Sequence, residues 1–259
     1  MAAKAVTLIT GASAGIGTAL AHVFAERGHA LVLTARREAQ LKAVADAIAV
    51  TGRARPEIIA LDLGQHDGPA QLAAELARRG LEPEIVVNNA GFGLQGLSAD
   101  LDRGQQLAII DLNMRTLTDL SLRFLDSLKR ARGGILNVAS IAGFFPGPQM
   151  AVYHASKAYV VSFSEALHAE LAADGVRVSV LCPGPVPTEF NARAGVPDDY
   201  FPRFLERSAV RVARDGYDGL MAGRRVIVPG LPNKVMTLLP RIMPRGLMLM
   251  AIDPETRII

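Results

Sequence analysis

The chain has 259 residues, of which half are hydrophobic and a fifth charged, with a net charge of +3. That length suits one α/β domain, and an apolar share this high with so small a net charge excludes a disordered chain. Lys and Arg are scattered rather than blocked, which argues against a nucleic-acid partner, and the single cysteine, Cys182, excludes an internal disulfide or a cysteine-rich zinc site.

Taken in chain order, short apolar runs predict strands at 5–10, 30–34, 57–61, 85–88, 134–140, 176–181 and 226–228, and several of them, nearly continuous in Val, Ile and Leu, read as buried on both faces. Helical patterns lie between them at 16–27, 38–51, 69–79, 101–129 and 152–173, the fourth long enough for two helices. This alternation predicts a Rossmann-like, doubly wound parallel sheet with helices on both faces, as a single domain over 1–259. Residues 183–214 carry prolines at 183, 185, 187, 197 and 202 and no strand pattern. Following a strand, they are placed to cover the crevice where open sheets bind ligands, as a substrate-covering insertion. Residues 231–259 read as an irregular extension, because Pro240, Pro244 and Gly246 interrupt its Met- and Leu-rich stretch. That stretch suits subunit or domain packing ahead of membrane contact. No leader pattern and no 18-residue apolar run is visible, so a cytoplasmic location is expected.

The first predicted strand runs into Thr10-Gly11-Ala12-Ser13-Ala14-Gly15-Ile16-Gly17 and then a helix. Glycines there permit a sharp turn and close approach of a pyrophosphate, and a helix N-terminus offers N–H groups to the anion. The same three glycines would also serve a plain tight turn. About 20 residues on, where an acid would hold a ribose hydroxyl, stand Arg36 and Arg37. Guanidinium groups suit a 2′-phosphate, so NADP(H) is favoured and NAD(H) not excluded. The alternative is two solvated arginines at a helix start, with Glu38 as cap or charge partner.

Tyr153 and Lys157, one helical turn apart, share a face. An ammonium beside a phenol lowers its pKa and lets it exchange a proton with a substrate oxygen. The bland reading is a surface pair. Ser140 stands at the end of a buried strand, as a substrate-orienting hydroxyl or a turn cap. Asn113 sits in a helical pattern that Asn does not favour, as a functional amide or a solvated one. The five histidines show no metal-ligand spacing, and Cys182 reads as core.

Four motifs in order, Thr10–Gly17, Asn88-Asn89-Ala90-Gly91, Ser140 and Tyr153-x-x-x-Lys157, resemble the classical short-chain dehydrogenase/reductase family over about residues 5–230. The stretches 163–167 and 223–230 are similar to a bacterial, NADP-type oxidoreductase subgroup. The resemblance implies a tetrad of Asn113, Ser140, Tyr153 and Lys157, with Tyr153 as acid/base and Ser140 orienting a carbonyl. Lys157 would bind the nicotinamide ribose, and Asn113 a water. It implies that Asp62 bonds the adenine amine, that Asn89, Ala90 and Gly91 lie beside the cofactor, and that Pro183, Gly184, Val186 and Thr188 form the carboxamide-side segment. Asp62 would otherwise be a turn residue and Thr188 a loop cap. Many NADP-preferring members carry a cation where this chain has Ala14. The implied activity is hydride transfer between nicotinamide and a ketone, aldehyde or secondary alcohol. The implied assembly is a dimer or tetramer. Phe144, Phe145, Met150, Phe190, Tyr200, Phe201 and Phe204 would make an apolar substrate pocket or pack the loops themselves. Two rivals remain: a 3-oxoacyl thioester reductase and a dinucleotide-binding sensor without turnover.

Overall fold

The computed structural model describes residues 3–197, 201–244 and 248–249. Seven strands form one parallel sheet in the order β3-β2-β1-β4-β5-β6-β7. They are β1 (Lys4–Thr10), β2 (Leu31–Ala35), β3 (Glu57–Ala60), β4 (Leu81–Asn88), β5 (Gly134–Val138), β6 (Arg177–Leu181) and β7 (Val226–Ile227). The central strands are buried almost throughout, so apolar residues on both faces of each strand have a helix layer to meet. Ile9, Leu33, Val87 and Leu136 pack on one layer, while Leu8, Val32, Val86 and Ile135 point to the other.

The first layer holds α1 (Gly15–Glu26), α2 (Glu38–Val50) and α9 (Ala209–Met221); Leu20, Phe24, Leu41, Ile48 and Leu220 are fully buried there. The second holds α3 (Gly68–Arg78), α5 (Leu117–Arg123), α6 (Leu125–Ala131) and α7 (Ala151–Leu171), sealed by Leu72, Leu76, Leu120 and Leu128. The expected pair of helices over 101–129 is instead α4 (Arg103–Ile110), a π-helical stretch Asp111–Thr116, then α5 and α6. The break before α6 comes at Phe124, whose ψ of 10° departs from helical geometry.

Besides the short α8 (Glu189–Ala194), two helices lie where none is expected. One is α9, whose apolar positions Val212, Ala213, Gly216, Tyr217 and Leu220 follow a helical period. The other is α10 (Leu231–Ile242), which corrects the reading of 231–259 as irregular over its first part. Its prolines do not interrupt it. Pro232 lies in the first turn, where no N–H is needed, and Pro240 lies in the last turn. Asn233, fully buried, ties α10 down by donating to Leu205 O (3.0 Å) and Pro229 O (2.9 Å). Most of 243–259 lies outside the described residues. Among the described residues no helix is long and apolar enough to cross a membrane. Residues 183–214 contain α8 (Glu189–Ala194), a 3-10 turn Arg203–Leu205 and the start of α9.

Adjacent strands β1 and β4 send their connections in opposite directions, which opens a crevice at their carboxyl ends. Below it runs a buried polar chain. Asn88 Nδ2 donates to Asn137 Oδ1 (2.9 Å) and Ser121 Oγ (3.0 Å), and Asn137 Nδ2 donates to Ser164 Oγ (2.9 Å). These bonds lock β4 and β5 to α5 and α7 just behind the site. Asn137→Ala, which strips partners from both Asn88 and Ser164, is expected to cost roughly 1–3 kcal/mol per orphaned group. Urea denaturation measures this; a loss under 0.5 kcal/mol would count against the chain as a structural brace.

Candidate active site

The crevice deepens into a cavity of about 690 Å³. At its centre β1 and β4 are stitched together. Thr10 Oγ1 accepts the N–H groups of Asn89 (3.0 Å) and Ala90 (2.9 Å), and Asn89 Nδ2 donates to the carbonyls of Thr10 (2.9 Å) and Gly11 (3.2 Å). The stitch brings the glycine turn so close that only glycine fits. Gly11 has φ +64°, and a Cβ there would sit 2.8 Å from Ala90 Cα. A Cβ on Gly17 would overlap the Gly11 carbonyl oxygen. Helix α1 begins at Gly15 with Ala14 before it and no side-chain cap. Ser13, Ala14, Gly15 and Ile16 line the cavity.

One end of the cavity is formed by Arg36, Arg37 and the turn after β3. Arg36 is exposed and has no hydrogen bond or ion pair among the described residues. Arg37 pairs with Glu189 (3.0 Å) and reaches Ser13 O and Oγ, both at 3.4 Å. Glu38 turns away from both to Lys42 (2.6 Å), so it neither caps α2 nor offsets the arginines. Asp62 lines the cavity and also makes a local turn, accepting from Gly64 N (3.0 Å) and Gln65 Nε2 (3.5 Å).

At the other end Ser140, Tyr153 and Lys157 converge. Ser140 follows β5; its Oγ accepts from Ala142 N (3.1 Å), capping the 3-10 turn Ile141–Phe144, and donates to Pro183 O (3.4 Å), and it lines the cavity with Tyr153. Ser140 thus caps the turn and also faces the cavity. Tyr153 and Lys157 sit in the first two turns of α7, both buried. Burial pushes Tyr153 up to about 12, with nearby Ser140 pulling weakly the other way. The expected lowering by Lys157 does not set the direction: its Nζ lies 5.7 Å from the ring centroid and donates to Val138 O (3.0 Å). Burial also draws Lys157 down to about 8, against a smaller opposing pull from nearby Cys182.

Asn113 lies within the π-helical stretch, nearly sealed from solvent. Its amide clasps Phe92, accepting from the N–H (3.1 Å) and donating to the carbonyl (3.0 Å), and donates to Ser156 Oγ (3.1 Å). Only Gly91 separates it from Lys157: a Cβ there would lie 2.9 Å from Asn113 Oδ1 and 3.5 Å from Lys157 Nζ. The solvated alternative for Asn113 is excluded.

Pro183, Gly184, Val186 and Thr188 form the far wall. Thr188 caps α8 through Phe190 N (3.3 Å) while its methyl group faces Gly15, where a Cβ would approach to 3.1 Å. Above Tyr153 sits an apolar group of Ala142, Met150, Ala194 and Val196 with Phe190 and Phe201 against it. Phe190 tilts over the Tyr153 ring at 5.5 Å between centroids. Of the other expected aromatics, Phe145 lines the cavity, Phe144 packs in the core beside Val160, Phe204 is exposed, and Tyr200 lies outside the described residues.

Every expected site residue except Gly17 and Asn113 lines this one cavity; those two stand behind its wall. Lining residues not foreseen include His154, Asn191 and Glu189. The ring of His154 is hydrogen bonded to Phe145 O (3.0 Å), holding the loop after Ser140, and burial lowers its pKa. For Glu189 the available signal is its i,i+4 relation to Arg193.

A family model described as short chain dehydrogenase matches residues 5–197. The chain belongs to that family. It is 41% identical over 185 residues to a sulfoacetaldehyde reductase of Chromohalobacter salexigens, covering 70% of this chain and 72% of that one. Among solved structures it is similar to a short-chain dehydrogenase from Sphingobium yanoikuyae in complex with NADPH, with TM-score 0.80, 29% identity, and 98% and 96% of the two chains covered. It is also similar to a bulky-bulky ketone specific alcohol dehydrogenase from Comamonas testosteroni, with TM-score 0.77, 26% identity, and 99% and 96% covered. As a short chain dehydrogenase the protein is an oxidoreductase of alcohol and carbonyl groups that binds NAD(P).

The burial of Lys157 has a measurable sign. Its pKa falls from 10.5 to about 8, so between those values the unfolded chain holds a proton that the folded chain has released. Folding stability from this group therefore rises with pH across that window and is flat below it. Chemical denaturation of wild type and Lys157→Met at pH 7, 8.5 and 10 is expected to show wild type gaining on the variant as pH rises. Parallel curves would mean that Lys157 titrates normally.

Proposed function

We propose that this chain is an NADP(H)-dependent carbonyl reductase of medium or bulky, apolar ketones and aldehydes, with Tyr153 as its general acid/base. The observation that carries the reading is the buried Tyr153, which shares with Ser140 the cavity that also holds the uncapped start of α1 and Arg36, an arginine without a partner among the described residues. The glycine cradle fits a dinucleotide, because the Cβ atoms it lacks would fill the turn at Gly11 and Gly17. Gly11, Ser13, Gly15 and Ile16 would take the pyrophosphate, Arg36 and Arg37 the 2′-phosphate, and Asp62 the adenine. Asn89, Ala90, Gly91 and Lys157 would border the ribose, and Pro183, Gly184, Val186 and Thr188 the carboxamide. With Ala14 where a further cation would stand, NAD(H) remains a second cofactor.

When bound, NADPH supplies the hydride for the carbonyl carbon. Ser140 orients the carbonyl oxygen through its hydroxyl. Tyr153 keeps its proton at neutral pH, which suits an acid, and gives it to that oxygen as negative charge develops there. An alkoxide is a much stronger base than a phenolate, so the transfer runs downhill. Lys157 remains an ammonium below about pH 8 and favours the phenolate that results. Asn113 acts at one remove, fixing Phe92 and, through Ser156, the start of α7.

The substrate class rests on the apolar group over Tyr153. A thioester carrying a phosphopantetheine, or a small anionic aldehyde, calls for a free cation near that group. Of the cations lining that side among the described residues, Lys157 donates to Val138 O (3.0 Å) and the Arg193 guanidinium is bonded to Glu189 (2.5 Å). A sensor without turnover has no use for a buried Tyr–Ser pair. We further expect a homo-oligomer, supported by the exposed Leu107, Ile110 and Leu122 on α4 and α5.

The test is oxidation of NADPH and NADH against aryl and alicyclic ketones, aldehydes, a 3-oxoacyl thioester and sulfoacetaldehyde. Turnover of the apolar carbonyls is expected, and preference for the thioester or sulfonate would overturn the substrate reading. Tyr153→Phe is expected to lower kcat by roughly 100-fold or more while NADPH affinity stays within a few fold; unchanged kcat removes Tyr153 from the chemistry. In Arg36→Ala, NADPH binding should weaken far more than NADH binding, and equal losses would defeat the 2′-phosphate assignment.

A further inference from the structure

Two arginines end the β2 segment, yet only one of them is free. Arg36 has no partner among the described residues, whereas Arg37 is held across the crevice by Glu189 on the opposite wall. Glu189 is firmly placed for this. It is the first residue of α8, just after Thr188, which caps the helix and packs against Gly15. A single oxygen, Glu189 Oε2, receives Arg37 Nη1 at 3.0 Å and Arg193 Nη2 at 2.5 Å. A chain of three charges thus runs from the arginine end of the cavity to its apolar end.

We propose that Glu189 competes with the cofactor's 2′-phosphate for Arg37 and so tunes the choice between NADPH and NADH. This rests on the assignment of Arg36 and Arg37 to that phosphate. Arg37 cannot give its full set of donors to a carboxylate and a phosphate at once. A phosphate carries more charge and more acceptor oxygens than a carboxylate, so it can draw the guanidinium away. A ribose hydroxyl carries no charge and leaves the Arg37–Glu189 pair closed. Arg193 makes the exchange feasible, because Glu189 keeps one cation when Arg37 leaves. Glu189 is therefore a positioning residue that selectively weakens the phosphorylated cofactor. Its pair with Arg37 is half exposed and screened, so the effect is a modest one.

The chain contains no tryptophan, so the fluorescence of the reduced cofactors themselves reports their binding. Kd values for NADPH and NADH would be measured on the full chain for wild type, Glu189→Gln, Arg37→Ala, the double variant and Arg193→Ala. In Glu189→Gln, NADPH is expected to bind roughly two- to fivefold tighter with NADH unchanged, as suits loss of one exposed ion pair. That gain should vanish when Arg37 is already alanine. Arg193→Ala should act in the opposite direction, since Glu189 then grips Arg37 alone and NADPH weakens relative to NADH. A gain that persists without Arg37 would overturn the proposal, because the carboxylate would then act on the phosphate directly. Equal shifts for both cofactors, or none, in Glu189→Gln would overturn it while leaving the phosphate assignment intact. If Arg37→Ala leaves the NADPH-to-NADH ratio unchanged, Arg37 does not meet the phosphate, and both the assignment of Arg37 and the proposal fall.

Discussion

The side-by-side contact of β1 and β4 is the constraint on which the site depends. The chains leaving these strands diverge, and the divergence is held open by a few hydrogen bonds centred on Thr10 and Asn89. These bonds satisfy backbone groups that the diverging sheet edge would otherwise leave unpaired. They also set how near the glycine turn lies to the end of β4, and hence why a side chain at 11 or 17 has nowhere to go. The direction of α1, the mouth of the cavity and the seat of Thr188 over Gly15 all follow from that one junction.

The opposite end of the site is organised by burial. Tyr153, Lys157 and Asn113 are polar groups taken out of water, which costs stability unless each finds partners. Lys157 and Asn113 find theirs, Val138 O for the ammonium and Phe92 with Ser156 for the amide, while Tyr153 faces Ser140 in the cavity. The same partners fix the side chains in place, so their positions are settled before any substrate arrives. Behind them, the Asn88–Asn137–Ser164 bonds join the strands that carry the site to the helix that presents Tyr153.

Much of this was legible in the sequence for physical reasons. Strands buried on both faces must be apolar throughout, so their runs stood out; the edge strands β3 and β7 are less buried but still apolar enough to show, and boundaries moved by only a few residues except β4, which begins at Leu81. The glycine turn and the Tyr153–Lys157 spacing carry their own geometry. Helices α9 and α10 were less visible. Each sets apolar residues among Arg, Asp or Lys, and α10 carries Pro232 in its first turn, where no N–H is needed, and Pro240 inside the helix, where one backbone bond is forgone. The direction of the Tyr153 shift was also hidden, since spacing tells which side chains share a face but not how much water reaches them. The pairing of Glu189 with Arg37 was invisible because it depends on a crossing between residues 37 and 189 that only the folded chain brings about.

The π-helical stretch at Asp111–Thr116 has a consequence for how this chain can vary. A π turn holds one residue more than the α turn it replaces. Each helical residue turns the following face by about 100°. Within the segment Asn113 faces Phe92 and Ser156 while Leu117 and Leu120 still face the sheet. Loss of a single residue there would let an α turn replace the π turn over the same rotation, so Leu117 and Leu120 would keep the sheet while the residues inside the segment, Asn113 among them, would be placed anew. A change of length is thus absorbed by the segment itself, at the expense of the amide it holds.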